Sequence, residues 1–192
     1  KFIPESHLEQ TVKIFPGNAK YNLKILYAGL KYDYGQKKRG LSFEENNFAN
    51  TLINAGFHLI KFNFDEIMQK YGYAYMNGLL LTSAYHYNPD ILFIFPYKNE
   101  FDPDVIREIS RETNTETVGW FADDQWRFEE YSKKWAPLLN WVVTTDKNSI
   151  EKYKAVGVKN VFYMQWAANH FLYKPLKNRA KIYDVTFIGQ PH

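Results

Sequence analysis

Two adjacent carboxylates, Asp123 and Asp124, lie in the run Thr117–Phe128 (TVGWFADDQWRF), where a β-branched and aromatic segment gives way to a Trp and an Arg. At the carboxyl end of a parallel strand, a carboxylate can deprotonate a substrate hydroxyl or accept a hydrogen bond from one. Side chains of neighbouring residues in extended backbone point to opposite sides. One of the pair can therefore face a crevice while the other caps the helix that follows. Asp124, with Arg127 three residues later, suits the cap, but both are good N-cap residues and spacing does not choose between them. Trp126 offers a flat ring that can stack on a sugar or pack.

A second candidate is the segment Gly29–Gly40 (GLKYDYGQKKRG). Gly29, Gly35 and Gly40 would let backbone approach a ligand, with Tyr34, Lys31, Lys37, Lys38 and Arg39 around it. The helix opening at Ser42 would offer free N–H groups to an anion. The spacing matches neither a dinucleotide fingerprint nor a P-loop, so a general anion- or sugar-binding loop is the reading that survives. Asp102-Pro103-Asp104 has the letters of a metal motif, but Pro at the first helical position marks a helix start. His170, after Asn169, could act as a base near neutral pH or be structural. His58 and His86 have no partner spacing, and no zinc-protease, serine-hydrolase or triad pattern is present.

The elements that must position these residues alternate regularly. Short apolar runs at 23–28, 58–63, 91–95, 117–122, 141–145 and 161–165 read as strands. Helical segments lie between them. One opens at Ser42, with Glu45 at capping-box spacing and Gly56 at its end. The next covers 65–87 and is interrupted by Gly72 and Gly78, one starts at Asp102, and one is capped by Asp146 and ends near Gly157. Residues 1–21, with Pro4, Pro16 and Gly17, read as an extended arm with at most one edge strand. The pattern is that of an α/β protein with a doubly wound, mostly parallel, Rossmann-like sheet. With the common strand order 3-2-1-4-5-6, the crevice opens between the loops after the first and fourth strands, the two loops just described.

Composition narrows the class. The 192 residues suffice for one well-filled core, and 45% hydrophobic content with 15 Tyr and 15 Phe argues against disorder. A formal charge of +3 with no long Lys/Arg run gives no reason to expect a nucleic-acid partner. The absence of cysteine excludes disulfides, thiol nucleophiles and cysteine-held metals. No apolar run reaches the roughly 18 residues of a membrane span. Without a signal peptide or an Asn-x-Ser/Thr sequon, a cytoplasmic location is expected. A start without Met, and a strand pattern at 184–188 just before the last residue, suggest a piece of a longer protein.

Several stretches taken in order resemble the N-terminal half of CgeB-like glycosyltransferases, a family named after a spore-maturation protein. They are LKILYAG, SFEENNFANTLINAGF, ILFIFP with EFDPDVI, TVGWFADDQWRF, YSKKWAPLLNWVVTTD, EKYKAVGV, QWAANHFLYKP and YDVTFIGQPH, covering roughly residues 22–192. The resemblance implies a GT-B architecture, with two Rossmann-like lobes across a cleft and the nucleotide-sugar donor held mainly by the C-terminal lobe. Residues 22–182 would be the N-terminal, acceptor-side domain, and 1–21 an arm. Residues 183–192 would begin a truncated donor-side domain, with Gly189 and Gln190 in its donor-facing loop.

What the resemblance implies for function is sugar transfer from a nucleotide-sugar to an unknown acceptor hydroxyl, with little activity in this piece without the rest of the chain. No cofactor or metal is expected. Asp123, Asp124 and His170 are the catalytic candidates. Gly29, Tyr34, Gly35, Lys38, Arg39, Gly40, Trp126, Arg127 and Asn169 are the substrate-binding candidates. The expected partners are the donor, a carbohydrate or other hydroxyl acceptor, and the second lobe. The alternative is a non-catalytic carbohydrate- or partner-binding domain, which the five tryptophans (Trp120, Trp126, Trp135, Trp141 and Trp166) would suit equally well. A receiver-like signalling domain fits poorly, because receivers carry acids after the first strand, where this chain has Gly29 and lysines.

Overall fold

The computed structural model describes residues 1–18, 21–180 and 182–187. The chain opens with a 3-10 turn, Glu5–His7, and a short helix α1, Leu8–Thr11, before strand β1, Lys13–Phe15. Strand β2 is Lys24–Gly29. A π-helical turn, Glu45–Ala49, then runs into α2, Asn50–Ala55. Strand β3, His58–Asn63, is followed by α3, Phe64–Tyr71, and α4, Tyr73–Tyr87. Strand β4, Ile91–Ile94, leads to α5, Pro103–Glu112, and β5, Glu116–Phe121, to α6, Asp124–Arg127. A π-turn and α7, Lys133–Trp135, precede β6, Trp141–Thr144. Helix α8, Ile150–Ala155, precedes β7, Val161–Tyr163.

The seven strands form one sheet in the order β1-β3-β2-β4-β5-β6-β7. All pairings are parallel except that of β1 with β3. The fold is therefore α/β with a mostly parallel, Rossmann-like sheet. Its strand order departs from the expected 3-2-1-4-5-6: the strand at 91–94 pairs directly with β2, and the winding reverses between β2 and β4. Apolar runs with both faces covered belong inside a sheet, and Ile91–Ile94 is such a run. The crevice at the strand carboxyl ends is thus framed first by the loops after β2 and β4, with the loop after β5 one strand further on.

Period-2 alternation splits the core. Leu26, Ile60, Leu92, Ile94, Phe121 and Val142 face a layer built from α3, α4, α5, α7 and α8. Ile25, Tyr27, Leu59, Trp120 and Val143 face the other side, covered by the helix ending at Ala55. Trp141 and the half-exposed Phe162 stack there with ring centroids 5.6 Å apart.

Four local expectations change. Residues 1–18 supply the edge strand β1 but are otherwise no extended arm: Leu8 and Val12 are buried in the core, and Ile3 exchanges backbone hydrogen bonds of 2.9 Å with the Thr82 hydroxyl. Gly72 does end α3, at φ +87°, but Gly78 lies inside α4, where Lys1 and Ile3 press so closely that no side chain fits. The capping box at Ser42 is half formed. Ser42 Oγ accepts from Glu45 N at 2.9 Å, while the Glu45 carboxylate turns to the buried Lys61 Nζ at 2.5 Å. Finally, residues 182–187 form no strand, having no ladder partner, and Val185 and Phe187 are exposed. Ile188, Gly189 and Gln190 lie outside the described residues.

Candidate functional site

A cavity of about 440 Å³ opens at the carboxyl end of the sheet. Its first wall is the segment after β2, contributing Leu30, Asp33 and Tyr34. That segment is held by Asp65 at the start of α3, whose carboxylate accepts from the N–H groups of Lys31 and Tyr32, each at 3.0 Å. Burial pushes the Asp65 carboxyl above its ordinary value, against the pull of those donors. Ser42 closes the segment from the other side, donating to Leu30 O at 2.5 Å. Tyr34 takes a left-handed backbone at φ +51°, and its ring meets Tyr97 edge-on at 5.9 Å.

The second wall, Phe95, Pro96 and Tyr97, follows β4. Its turn is clamped by the buried Glu100, which accepts from the N–H groups of both Tyr97 and Lys98. The third wall follows β5, with Trp120, Ala122, Asp123 and Arg127. Phe43 and Glu44, entering the helix after Ser42, and Trp166, from the segment after β7, complete the lining. Asn169 pins that last segment by donating to Asn46 O at 2.9 Å. Trp166 packs on Phe43 at 5.0 Å and Trp120 at 5.4 Å.

The two adjacent carboxylates do separate, with Asp123 at the cavity and Asp124 in the core. The left-handed backbone at Asp123 and the helix starting at Asp124 set them apart, not strand alternation, and neither side chain caps the helix. Asp123 is the N-cap residue by position, at φ +64°. Its side chain caps nothing and is exposed at the cavity wall. Asp124 is 0% exposed and lies on the opposite side. It accepts from Ser132 Oγ at 2.6 Å, Thr144 Oγ1 at 2.6 Å and Tyr153 Oη at 2.7 Å. It therefore ties α6 to β6 and α8 and has no path to a ligand, which removes it from the catalytic candidates. Burial, reinforced by the Asp124 charge, pushes the Tyr153 hydroxyl far above the usual tyrosine range.

The basic loop is arranged otherwise than expected. Lys31 turns to Glu66 at 2.7 Å, and Arg39 to Asp33 at 2.6 Å and over the Tyr34 ring at 4.8 Å. Lys37 and Lys38 are exposed and line no part of the cavity. Gly29 is the last residue of β2, and a Cβ there would strike the Tyr27 ring, so it serves packing. Gly35 and Gly40 answer to positive φ angles of +69° and +85°. Of the cations expected to hold an anion, Lys31 and Arg39 are thus occupied by ion pairs.

Of the remaining candidates, Arg127 lines the cavity, with its guanidinium donating to Tyr97 O at 2.6 Å and lying 4.2 Å from the Tyr131 ring. Trp126 is 67% exposed and outside the lining. Asn169 is buried as a structural pin, and His170 is exposed against Phe171, away from the cavity. Asp102 is an N-cap, accepting from Asp104 N at 2.9 Å. No three His, Cys, Asp or Glu side chains among the described residues are grouped to hold a metal.

No protein-family model matches the chain, and no curated protein matches it. The chemistry of the cavity is therefore read from its own side chains. Sequence reasoning missed Phe95 to Tyr97 because the strand order was assigned differently. It also missed Asp33, Phe43 and Glu44. Trp120 and Trp166 were visible only as members of an aromatic-rich set. Trp120 is 6% exposed, and its buried indole Nε1 has no hydrogen-bond partner among the described residues. Glu44 is half-buried, and burial, then the nearby Asp33 and Asp65 charges, raises its carboxyl above the ordinary value.

Proposed function

We propose that this chain is the acceptor-binding lobe of a nucleotide-sugar-dependent glycosyltransferase of the CgeB-like kind, and that the cavity at the strand carboxyl ends holds the acceptor. The observation that carries the reading is Asp123, a carboxylate without a capping bond, set among the rings of Tyr34, Tyr97, Trp120 and Trp166. Flat aromatic walls suit the apolar faces of a sugar ring, and a free carboxylate suits its hydroxyls. In transfer, the acceptor hydroxyl oxygen attacks the anomeric carbon as the bond to the leaving diphosphate breaks. Asp123 orients that hydroxyl, and in an inverting reaction takes its proton. The resemblance assigns the donor to a second, GT-B-type lobe.

Tryptophan fluorescence tests the assignment, because Trp120 and Trp166 both line the cavity. Titration of this chain with methyl glycosides is expected to change its emission saturably, and Asp123→Asn to weaken binding. Nucleotide-sugars alone are expected to leave emission unchanged. Saturable binding of a nucleotide-sugar without any glycoside binding would overturn the lobe assignment. In the intact enzyme, loss of a general base lowers turnover by about 10²–10⁴-fold, so a loss of only a few-fold in Asp123→Asn leaves Asp123 a positioning group.

A further inference from the structure

The charges around the cavity are unbalanced. Of its carboxylates, Asp33 is neutralised by Arg39 at 2.6 Å, whereas Glu44 and Asp123 have no ion-pair partner among the described residues. The lining cation, Arg127, is occupied by Tyr97 O and the Tyr131 ring, and its charge acts on the buried Glu100. Lys31 is committed to Glu66 outside the cavity. Two carboxylates thus face an aromatic-walled space with one lining cation, Arg127, whose guanidinium is turned to Tyr97 O and the Tyr131 ring and pairs with neither of them. Trp120 lines the same space, and its buried indole N–H has no acceptor among the described residues, a costly state for a buried donor.

Resting on the acceptor-site reading above, we infer that the acceptor is an amine-bearing, hydroxylated molecule of the amino-sugar class, bound as its cation. The ammonium lies toward Glu44 and Asp123, and the ring against Tyr34, Tyr97, Trp120 and Trp166. Cations are also favoured over aromatic faces. Anionic acceptors, such as phosphorylated sugars or uronic acids, meet like charge and are rejected. The raised carboxyl of Glu44 agrees, since a neighbouring cation would relieve the burial and like-charge repulsion that raise it.

The test compares glucosamine, glucose, N-acetylglucosamine and glucuronic acid, which share a ring and differ in charge. Tryptophan emission of this chain is followed at about pH 6.5, below the roughly 7.7–8.0 of an α-amino group. Glucosamine is expected to bind about 10-fold more tightly than glucose or N-acetylglucosamine, with glucuronic acid weakest. Added salt should shrink that advantage. Glu44→Gln, its fold checked by circular dichroism, should reduce the glucosamine-to-glucose ratio to roughly threefold or less; Asp123→Asn provides a second variant with the same expectation. Equal affinities for glucosamine and glucose, or tighter glucuronic acid, would overturn the amine inference while leaving a carbohydrate site in place. No saturable response to any of the four would overturn both.

Discussion

Replacing Asp124 by Asn keeps the shape of a buried side chain and removes its charge, so it isolates what the carboxylate does for the fold. Three hydroxyls, from Ser132, Thr144 and Tyr153, donate to it within 2.7 Å, and none of the carboxylate is exposed. A hydrogen bond to a charged group contributes about 1.5–3 kcal/mol, and a neutral one about 0.5–1.5 kcal/mol. Three such weakenings put the cost of Asp124→Asn at roughly 3 kcal/mol, a large part of the 5–15 kcal/mol that holds a typical domain together. Tyr153→Phe removes one of the bonds without changing volume and should cost about 2 kcal/mol. With a urea slope of about 2 kcal/mol/M, the two midpoints fall by about 1.5 M and 1 M. The assay is urea unfolding followed in parallel by far-ultraviolet circular dichroism and tryptophan emission, whose coincidence checks two-state behaviour. The double variant should cost at least about 0.5 kcal/mol less than the two single costs together, because both act on one network. An Asp124→Asn midpoint within about 0.2 M of the parent, or full additivity, refutes the reasoning.

Two further outcomes are expected. Lys61 and Glu45 form an ion pair almost wholly buried at 2.5 Å, so Lys61→Met alone should cost about 3–5 kcal/mol, while the double change Lys61→Met with Glu45→Leu should recover most of it; equal losses in single and double variants would contradict this. Glu44 has its carboxyl raised in the folded state by burial and like charge, so its favourable contribution is present below the unfolded value and lost as pH rises through the folded one. Glu44→Gln should therefore gain stability relative to the parent as pH rises from about 4 to 7, and a pH-independent difference in urea midpoint would count against it.

Much of the fold was legible because alternation and capping are local. The runs at 24–29, 58–63 and 91–94 announce buried strands, Asp102-Pro103 announces a helix start, and Gly56, at φ +94°, ends α2 as its position suggested. Strand order is not local. It depends on which neighbour buries Ile91 to Ile94 on both faces, and the apolar character of that run was the available signal for a central place. The roles of Asp123 and Asp124 were beyond spacing because the choice is made by distant partners, Ser132, Thr144 and Tyr153, converging on Asp124. Lys31 of the loop after β2 misled for a related reason: Glu66 lies 35 positions away and takes its charge.

The left-handed backbone of Asp123, at φ +64°, also limits how this cavity can change. Outside glycine, that conformation is readily adopted by Asn, Asp and His, and is strongly resisted by β-branched side chains. The alphabet open at the ligand-facing position is therefore short, while its neighbour at 124 is fixed by the core. A lineage, or a laboratory library, seeking a new acceptor has little freedom on this loop. Tyr34, at φ +51°, is limited in the same way, so variation has more room at Tyr97 on the facing wall, whose backbone is held by Glu100 whatever side chain it carries.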